Sequence, residues 1–526
     1  MRRLALGLLA AGLAFAASPA GAQDKNPFDD DGGDPFAPPD AKDASTPLYL
    51  KALELQRKGK WKEAQDAFRE VTKKYPESVH AADCEMRGGD NCYMGTVKLH
   101  ESGPPSRRID IAVMGDGFQI DPKAQKQQED WAKLCLDVLA ADAAYVEYLN
   151  YFNYYFVRLV SKDDGVDKPL TEKELADREE RKRKNKKQKK LRTADFDTAI
   201  DCKAAGPAGQ VMADRDLVYK WLEYAQRDVP GVGDDALVIA FAKFGELGMG
   251  GGGIANVGRP DKSITVHEFG HAFVGLLDEY QNAPGPPGYA IRAANATSDP
   301  KFIPWQHFLD KKIENVGVFE GGATFKKGVW RPCASGCAMN AAGATGGYCP
   351  VCREACVLRI YHYLSPIDQT SPAPEIERNC VEGDGSTISV TPMKPQTHDL
   401  KVQWYVDRIP DSEPGPQPVA SGGVTTDEAP TGLDGWNPGP RSGGRDPILY
   451  EMPPMGNVDE EFARIEKDKK GRLEKFVFDV AKLPRGRYMI TARVWDPIGW
   501  VLKDKDHLLE ERASFWFKID GKPKKP

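Results

Sequence analysis

The segment His267-Glu268-Phe269-Gly270-His271 carries the densest chemistry in this chain. Its spacing puts both imidazoles on one face of a helix, one turn apart. Two imidazoles so placed bind one Zn²⁺ through nitrogens at about 2.0–2.1 Å. Glu268 then lies beside the metal, where it can take a proton from a water whose pKa zinc lowers to about 7. The expected chemistry is hydrolysis of a peptide bond, with one catalytic Zn²⁺ and a protein or peptide as substrate.

A third ligand is available downstream in Ala-Phe-Val-Gly-Leu-Leu-Asp-Glu-Tyr. Gly275 can end the helix and turn the chain back, bringing Asp278 or Glu279 to the metal. Asp278 is favoured, with Glu279 as the alternative. Glu314 and Glu320 are further acids, but neither lies in a convincing ligand helix. About 70 residues on, Cys337-Ala338-Met339-Asn340 sits in a Gly/Ala-rich region. A methionine in a tight turn beneath the metal marks metzincins, and Met339 is assigned to such a turn. Tyr280 and Tyr348 are candidates for oxyanion or substrate contacts.

The elements that must position these residues are legible in part. Arg108–Met114 reads as a buried strand followed by a Gly115-Asp116-Gly117 turn. Ala124–Ala141 has helical spacing, Tyr151–Leu159 reads as a strand and Asp214–Ala225 as a helix. Ala236–Ala242 reads as a buried strand whose edge can hold an extended peptide. Gly248–Gly253 lacks the lysine of a phosphate-binding loop and reads as a flexible turn beside the active helix. That helix is expected to start near Ser263.

Residues 1–22 read as a signal peptide: Arg2 and Arg3, an apolar stretch over 4–17, then Ala20-Gly21-Ala22. The protein is therefore expected to be secreted. No later stretch is apolar for about 18 residues, so no integral membrane segment is expected. The formal charge of −6 becomes −8 when the two leader arginines go, since residues 1–22 contain no acid. That balance argues against a nucleic-acid partner.

The chain of 526 residues less 22 suffices for several domains. Residues 23–45 read as a disordered acidic leader. Residues 46–82 resemble a single tetratricopeptide-like hairpin through Ala52, Gly59, Trp61, Ala64, Phe68 and Pro76. One such unit cannot bury its own face, so docking on the next domain is expected. A catalytic domain is assigned to 95–380, with 179–192 as a basic loop insertion. Short alternating strands over 384–520 read as an Ig-like β-sandwich. The fold class is α+β, with a zincin-like domain of mixed twisted sheet and active-site helix.

All ten cysteines follow the leader, and export favours disulfides. Cys84 with Cys92 is the plausible local pair. Cys333, Cys337, Cys349 and Cys352 have spacing that also suits a structural zinc knuckle, with disulfides favoured. Asn295-Ala296-Thr297 is a glycosylation sequon not expected to be used.

RIDIAVMGDGF (108–118), the glycine-rich stretch, HEFGHAFVGLLDEY (267–280), CAMN and YCPVCRE (348–354) occur in one order. This order resembles the IgA-peptidase-type metallopeptidases, a metzincin-like family of secreted bacterial zinc enzymes, over roughly residues 95–365. The resemblance implies a zinc-dependent endopeptidase with His267, His271 and Asp278 as ligands and Glu268 as general base. One departure stands out. Metzincins usually place glycine three residues after the second histidine and the third ligand six after. Here Gly275 and Asp278 come four and seven after. The rival function is an inactive zincin-like scaffold, against which the intact Glu268 argues, or a zinc amidase acting on cell-wall peptides.

Overall fold

The computed structural model describes residues 43–521, apart from 168–179, 181–195, 206–209, 234, 246, 341–346, 375, 412–462 and 468–473. The leader and nearly all of the basic run at 179–192 lie outside the described residues.

Helices α1 (Thr46–Arg57) and α2 (Trp61–Lys74) pack together as a pair, and α3 (Ala81–Gly88) adds a third helix. Gly59 turns the chain between the first two with φ 71°. Ala52, Ala64, Phe68, Val71 and Cys84 make a core too small to stand alone. Arg87 ties it to the next domain. Its guanidinium is buried, bonds Asp83 and Asp228 at 2.8 Å each, and lies over the Tyr93 ring at 5.0 Å.

The next unit is built from β1 (Cys92–His100), β2 (Ile109–Asp116), α4 (Pro122–Leu139), α5 (Ala143–Glu147) and β3 (Phe152–Val160). It continues through β4 (Lys203–Ala205), β5 (Gln210–Met212), α6 (Arg215–Ala225), β6 (Leu237–Ala242), β7 (Met249–Gly251), β8 (Ile254–Val257) and α7 (Lys262–Phe269). Six strands form one sheet in the order β1-β3-β2-β6-β8-β7. β3, β2, β6 and β8 run parallel, and β1 and β7 are antiparallel edges. Strands β2, β3 and β6 are buried at every residue, which is why they read as apolar runs rather than alternations. The expectation that residues 236–242 offer a free edge is overturned. β6 pairs with β2 on one side and β8 on the other, and the glycine-rich β7 is the edge beside α7.

The Gly-Asp-Gly turn has a structural role. Buried Asp116 accepts from Ser161 Oγ, Thr198 Oγ1 and the amides of Ile200 and Cys202 at 2.8–3.1 Å. This returns the chain to the sheet after the long excursion from β3.

Strands β9 (Gln281–Ala283), β10 (Arg292–Ala293), β11 (Ala296–Thr297), β12 (Phe319–Gly322) and β13 (Thr324–Arg331) form a second, smaller sheet. The short helix α8 (Gln306–Asp310) interrupts it and α9 (Pro350–Tyr363) follows. Among the described residues, two four-stranded sheets follow. One joins β14 (Ile367–Ser371), β16 (Thr387–Pro392), β19 (Glu474–Asp479) and β18 (Ala463–Lys467). The other joins β15 (Arg378–Val381), β21 (Glu510–Asp520), β20 (Gly486–Trp495) and β17 (Lys401–Ile409). They face each other through contacts such as Trp404 on Phe478, with ring centroids 5.4 Å apart. Their first strand starts at Ile367, so the expected division at 380–384 falls inside them.

One hydrophobic core runs from the six-stranded sheet into these two sheets. Buried polar ties pin the junction. Arg108, entering β2, meets Asp368 on β14 at 2.8 Å. His398 lies between Glu147 Oε1 at 2.8 Å and Asp496 Oδ1 at 2.7 Å. The hydroxyls of Tyr148 and Tyr361 donate to Asp496 Oδ2. Burial works against a charge on His398, but Asp496 and Glu147 outweigh it and hold its pKa above the ordinary value. Burial likewise opposes charge on Asp496, yet His398 and the two phenols hold its pKa low.

The raised His398 contributes stability that is complete below about pH 6.5 and lost as pH rises through its elevated pKa. The lowered Asp496 contributes stability that is lost on acidification below about pH 4. We predict that His398→Gln costs on the order of 3 kcal/mol near neutrality. It should also flatten the alkaline side of the stability profile measured by chemical denaturation. An unchanged alkaline decline in the variant would show that another group governs the junction.

Candidate metal centre

Asp261 starts the site helix. Its carboxylate accepts from the amides of Ser263 at 2.8 Å and Ile264 at 2.9 Å, a helix N-cap. The α-helix runs to Phe269 and then widens into a π turn over Gly270–Val274. Gly275 closes it with φ 76°, and the amides of Gly275 and Leu276 both reach the Gly270 carbonyl. The π turn takes up the residue that is extra relative to metzincin spacing. Gly275 supplies the left-handed conformation that sends the chain back.

The chain returns with Asp278 against the two imidazoles. His267 Nε2 and His271 Nε2 are 3.1 Å apart. Asp278 Oδ1 lies 3.1 Å from the first and 3.2 Å from the second. Each Nδ1 faces a backbone carbonyl: His267 that of Ala338 at 2.9 Å, His271 that of Leu276 at 2.6 Å. A carbonyl only accepts, so the proton of each neutral ring is assigned to Nδ1 and both Nε2 lone pairs point at one spot. Two lone pairs and a carboxylate oxygen in a 3.1–3.2 Å triangle repel each other unless a cation lies among them. Tetrahedral zinc bonds of 2.0–2.1 Å require ligand–ligand edges of about 3.3 Å. Two imidazoles and a carboxylate are a zinc donor set, and the residues present therefore fit that ion.

Burial opposes charge on Asp278, and without a metal it is protonated imidazoles at His267 and His271 that hold its pKa below the carboxylate range, a role that passes to the cation once the rings are neutral. Glu268 lies with the two histidines, its carboxylate and their ring nitrogens all within 4.8 Å. Burial raises its pKa, and the Gly250 amide faces the carboxylate.

Glu279 takes a different position from the alternative ligand role. It is fully buried, and its Oε1 meets Asn295 Nδ2 and Cys352 Sγ at 3.2 Å each, not the imidazoles. Burial pushes its pKa up to about 9, so it is a neutral acid at pH 7. Glu314 and Glu320 are exposed, and Glu320 accepts from the Gly328 amide instead.

Met339 is fully buried in a turn below the helix, and its carbonyl accepts from the Glu279 amide at 2.6 Å. A Cβ at Gly270 would come within 2.8 Å of Met339 Sδ and 2.7 Å of the Tyr348 hydroxyl. The glycine lets helix and turn approach. Tyr348 is buried, with its hydroxyl donating to Val266 O at 2.9 Å and contacting Tyr145. Its position is that of a packing group. Tyr280 lies on the metal side, stacked on His267 at 6.1 Å and bonded to Asp278.

Three contributors had no readable signal. Asn295 accepts from the Leu277 amide and donates to the Leu277 carbonyl, fixing the turn before Asp278. It is fully buried, so the folded chain offers no glycosylation site there. The Ala338 carbonyl orients His267. Gly250 packs so tightly that a Cβ would collide with the Glu268 carbonyl and lie 2.8 Å from His271 Cβ. That close approach explains Gly250, whereas Gly252 and Gly253, with φ 56° and 82°, form the expected turn between β7 and β8.

No sulfur–sulfur bond joins any of the ten cysteines in this structure. Cys84 packs among the hairpin helices, whereas Cys92 packs with Met94 and Val160.

Residues 97–178 match the family model described as IgA Peptidase M64. The match supports the resemblance to IgA-peptidase-type metallopeptidases and hence a peptidase. It spans part of β1 through β3 and ends before α7, so it concerns the frame and not the ligands. No curated protein matches the chain.

The geometry predicts that Asp278→Ala weakens zinc binding by more than the roughly 10–100-fold of an outer-sphere change. Glu279→Gln should keep the metal. Competitive chelator titration checks both, and the reverse pattern would move the third ligand to Glu279.

Proposed function

We propose that the chain is a secreted, zinc-dependent endopeptidase with a metzincin-like catalytic domain. The supporting observation is the meeting of His267 Nε2, His271 Nε2 and Asp278 Oδ1 in one triangle with Glu268 alongside. The match to the IgA Peptidase M64 model agrees with it. Zinc, when bound, supplies Lewis-acid activation of water and of the substrate carbonyl.

The chain's own residues supply the rest. Glu268 takes the proton of the attacking water and delivers it to the leaving amine. The edge strand β7 lies beside Glu268 and can hold an extended peptide by main-chain hydrogen bonds. The small glycine side keeps that strand close to the reacting groups. Tyr280, on the same side as Asp278, is placed to meet a developing oxyanion. We assign export to residues 1–22 and an Ig-like fold to the C-terminal sheets.

Glu268→Gln should retain zinc and cut peptide cleavage by about 10²–10⁴-fold, read by mass spectrometry of a proteome-derived peptide library. Equal cleavage by the variant, or none by zinc-loaded native protein, would sink the endopeptidase reading.

A further inference from the structure

Four sulfurs lie together directly behind the candidate centre. Cys333 and Cys337 come from the loop after β13, and Cys349 and Cys352 from the start of α9. All four are buried. Cys337 Sγ and Cys352 Sγ are 3.7 Å apart. The ligand atoms of Cys337, Cys349, Cys352 and Glu279 lie within 4.8 Å of one another, and Cys333 joins them from the edge through Cys349. Cys349 is within hydrogen-bonding reach of Cys333, Cys337 and Cys352 alike.

That arrangement is one cluster, not two pairs. Two disulfides would draw sulfurs to about 2.05 Å in separate couples. A tetrahedral zinc with Zn–S bonds of about 2.3 Å needs S···S edges of about 3.8 Å instead. The Cys349 amide donates to Cys337 Sγ at 3.4 Å, a contact that favours thiolate. The N-terminus of α9, capped by Cys349, adds the positive end of a helix dipole. Arg331, bonded to the Cys333 carbonyl at 2.9 Å, adds a cation nearby.

We propose that Cys333, Cys337, Cys349 and Cys352 bind a second, structural zinc ion, distinct from the His267–His271–Asp278 centre. Binding exchanges the protons of the four thiols for one Zn²⁺, with no change in oxidation state. The site clamps the Met339 turn to α9. Cys337 precedes Ala338, whose carbonyl orients His267, and Met339, whose carbonyl holds the Glu279 amide. The structural ion thereby positions a ligand of the other centre, a coupling that rests on the metallopeptidase reading. The four-sulfur site itself does not. Glu279 lies in the same group, its Oε1 3.2 Å from Cys352 Sγ, and the proposal gives the fourth place to Cys333 because burial keeps the Glu279 carboxyl protonated.

The test is zinc counting and zinc-edge X-ray absorption on the full chain, with thiols counted by intact mass. Native protein should hold about two zinc ions with the four thiols reduced. The His267→Ala/His271→Ala variant should keep one, with a sulfur-only shell at about 2.3 Å. Cys337→Ser/Cys352→Ser should lose that shell. Should it fail to fold, the histidine variant still decides the matter. Glu279→Gln should leave the sulfur shell intact. Loss of zinc from the histidine variant, or a native mass short by the hydrogens of four thiols, would overturn the site. So would loss of the sulfur shell in Glu279→Gln. Native protein with one sulfur-bound zinc and none at the histidines would instead overturn only the peptidase reading.

Discussion

Two backbone carbonyls govern the centre. Ala338 and Leu276 each take the Nδ1 side of one imidazole and leave both Nε2 lone pairs aimed at the same point as Asp278 Oδ1. Such a concentration of acceptors is unfavourable by itself and becomes favourable only around a cation. Most of the surrounding structure serves to keep those carbonyls in place. The π turn and Gly275 set Leu276. The Met339 turn sets Ala338. Asn295 fixes the backbone that carries Asp278 into the triangle.

The two acids at 278 and 279 illustrate how environment divides adjacent residues. Asp278 faces two imidazoles and stays ionised. Glu279 faces Asn295 and a thiol inside the core, and burial keeps it protonated near neutrality. Sequence chemistry alone ranks them almost equally, because both are carboxylates at suitable spacing. The choice is made by the direction in which the returning chain points each side chain.

The active helix was legible because its information is local. His267, Glu268 and His271 declare themselves by spacing, and the Asp261 cap agrees with a start near Ser263. Buried strands β2, β3 and β6 were legible as apolar runs. What was not legible depends on distant contacts. A six-residue buried strand reads the same at a sheet's centre and at its edge, so β6 was assigned an open edge that β2 and β8 occupy. Gly250 read as turn chemistry because the helix that forbids it a side chain is distant in register. Cysteine spacing suggested cross-links, whereas only the three-dimensional cluster separates pairs from a common ligand set. The start of the C-terminal sheets at Ile367 was hidden by the helix directly before it.

The central claim is that one zinc ion occupies the triangle of His267, His271 and Asp278. Anomalous diffraction measured on either side of the zinc absorption edge tests it most directly. The account predicts a peak about 2.0–2.1 Å from both Nε2 atoms and from Asp278 Oδ1. A peak bound by Glu279 instead, or no peak between the imidazoles in zinc-replete crystals, would contradict it.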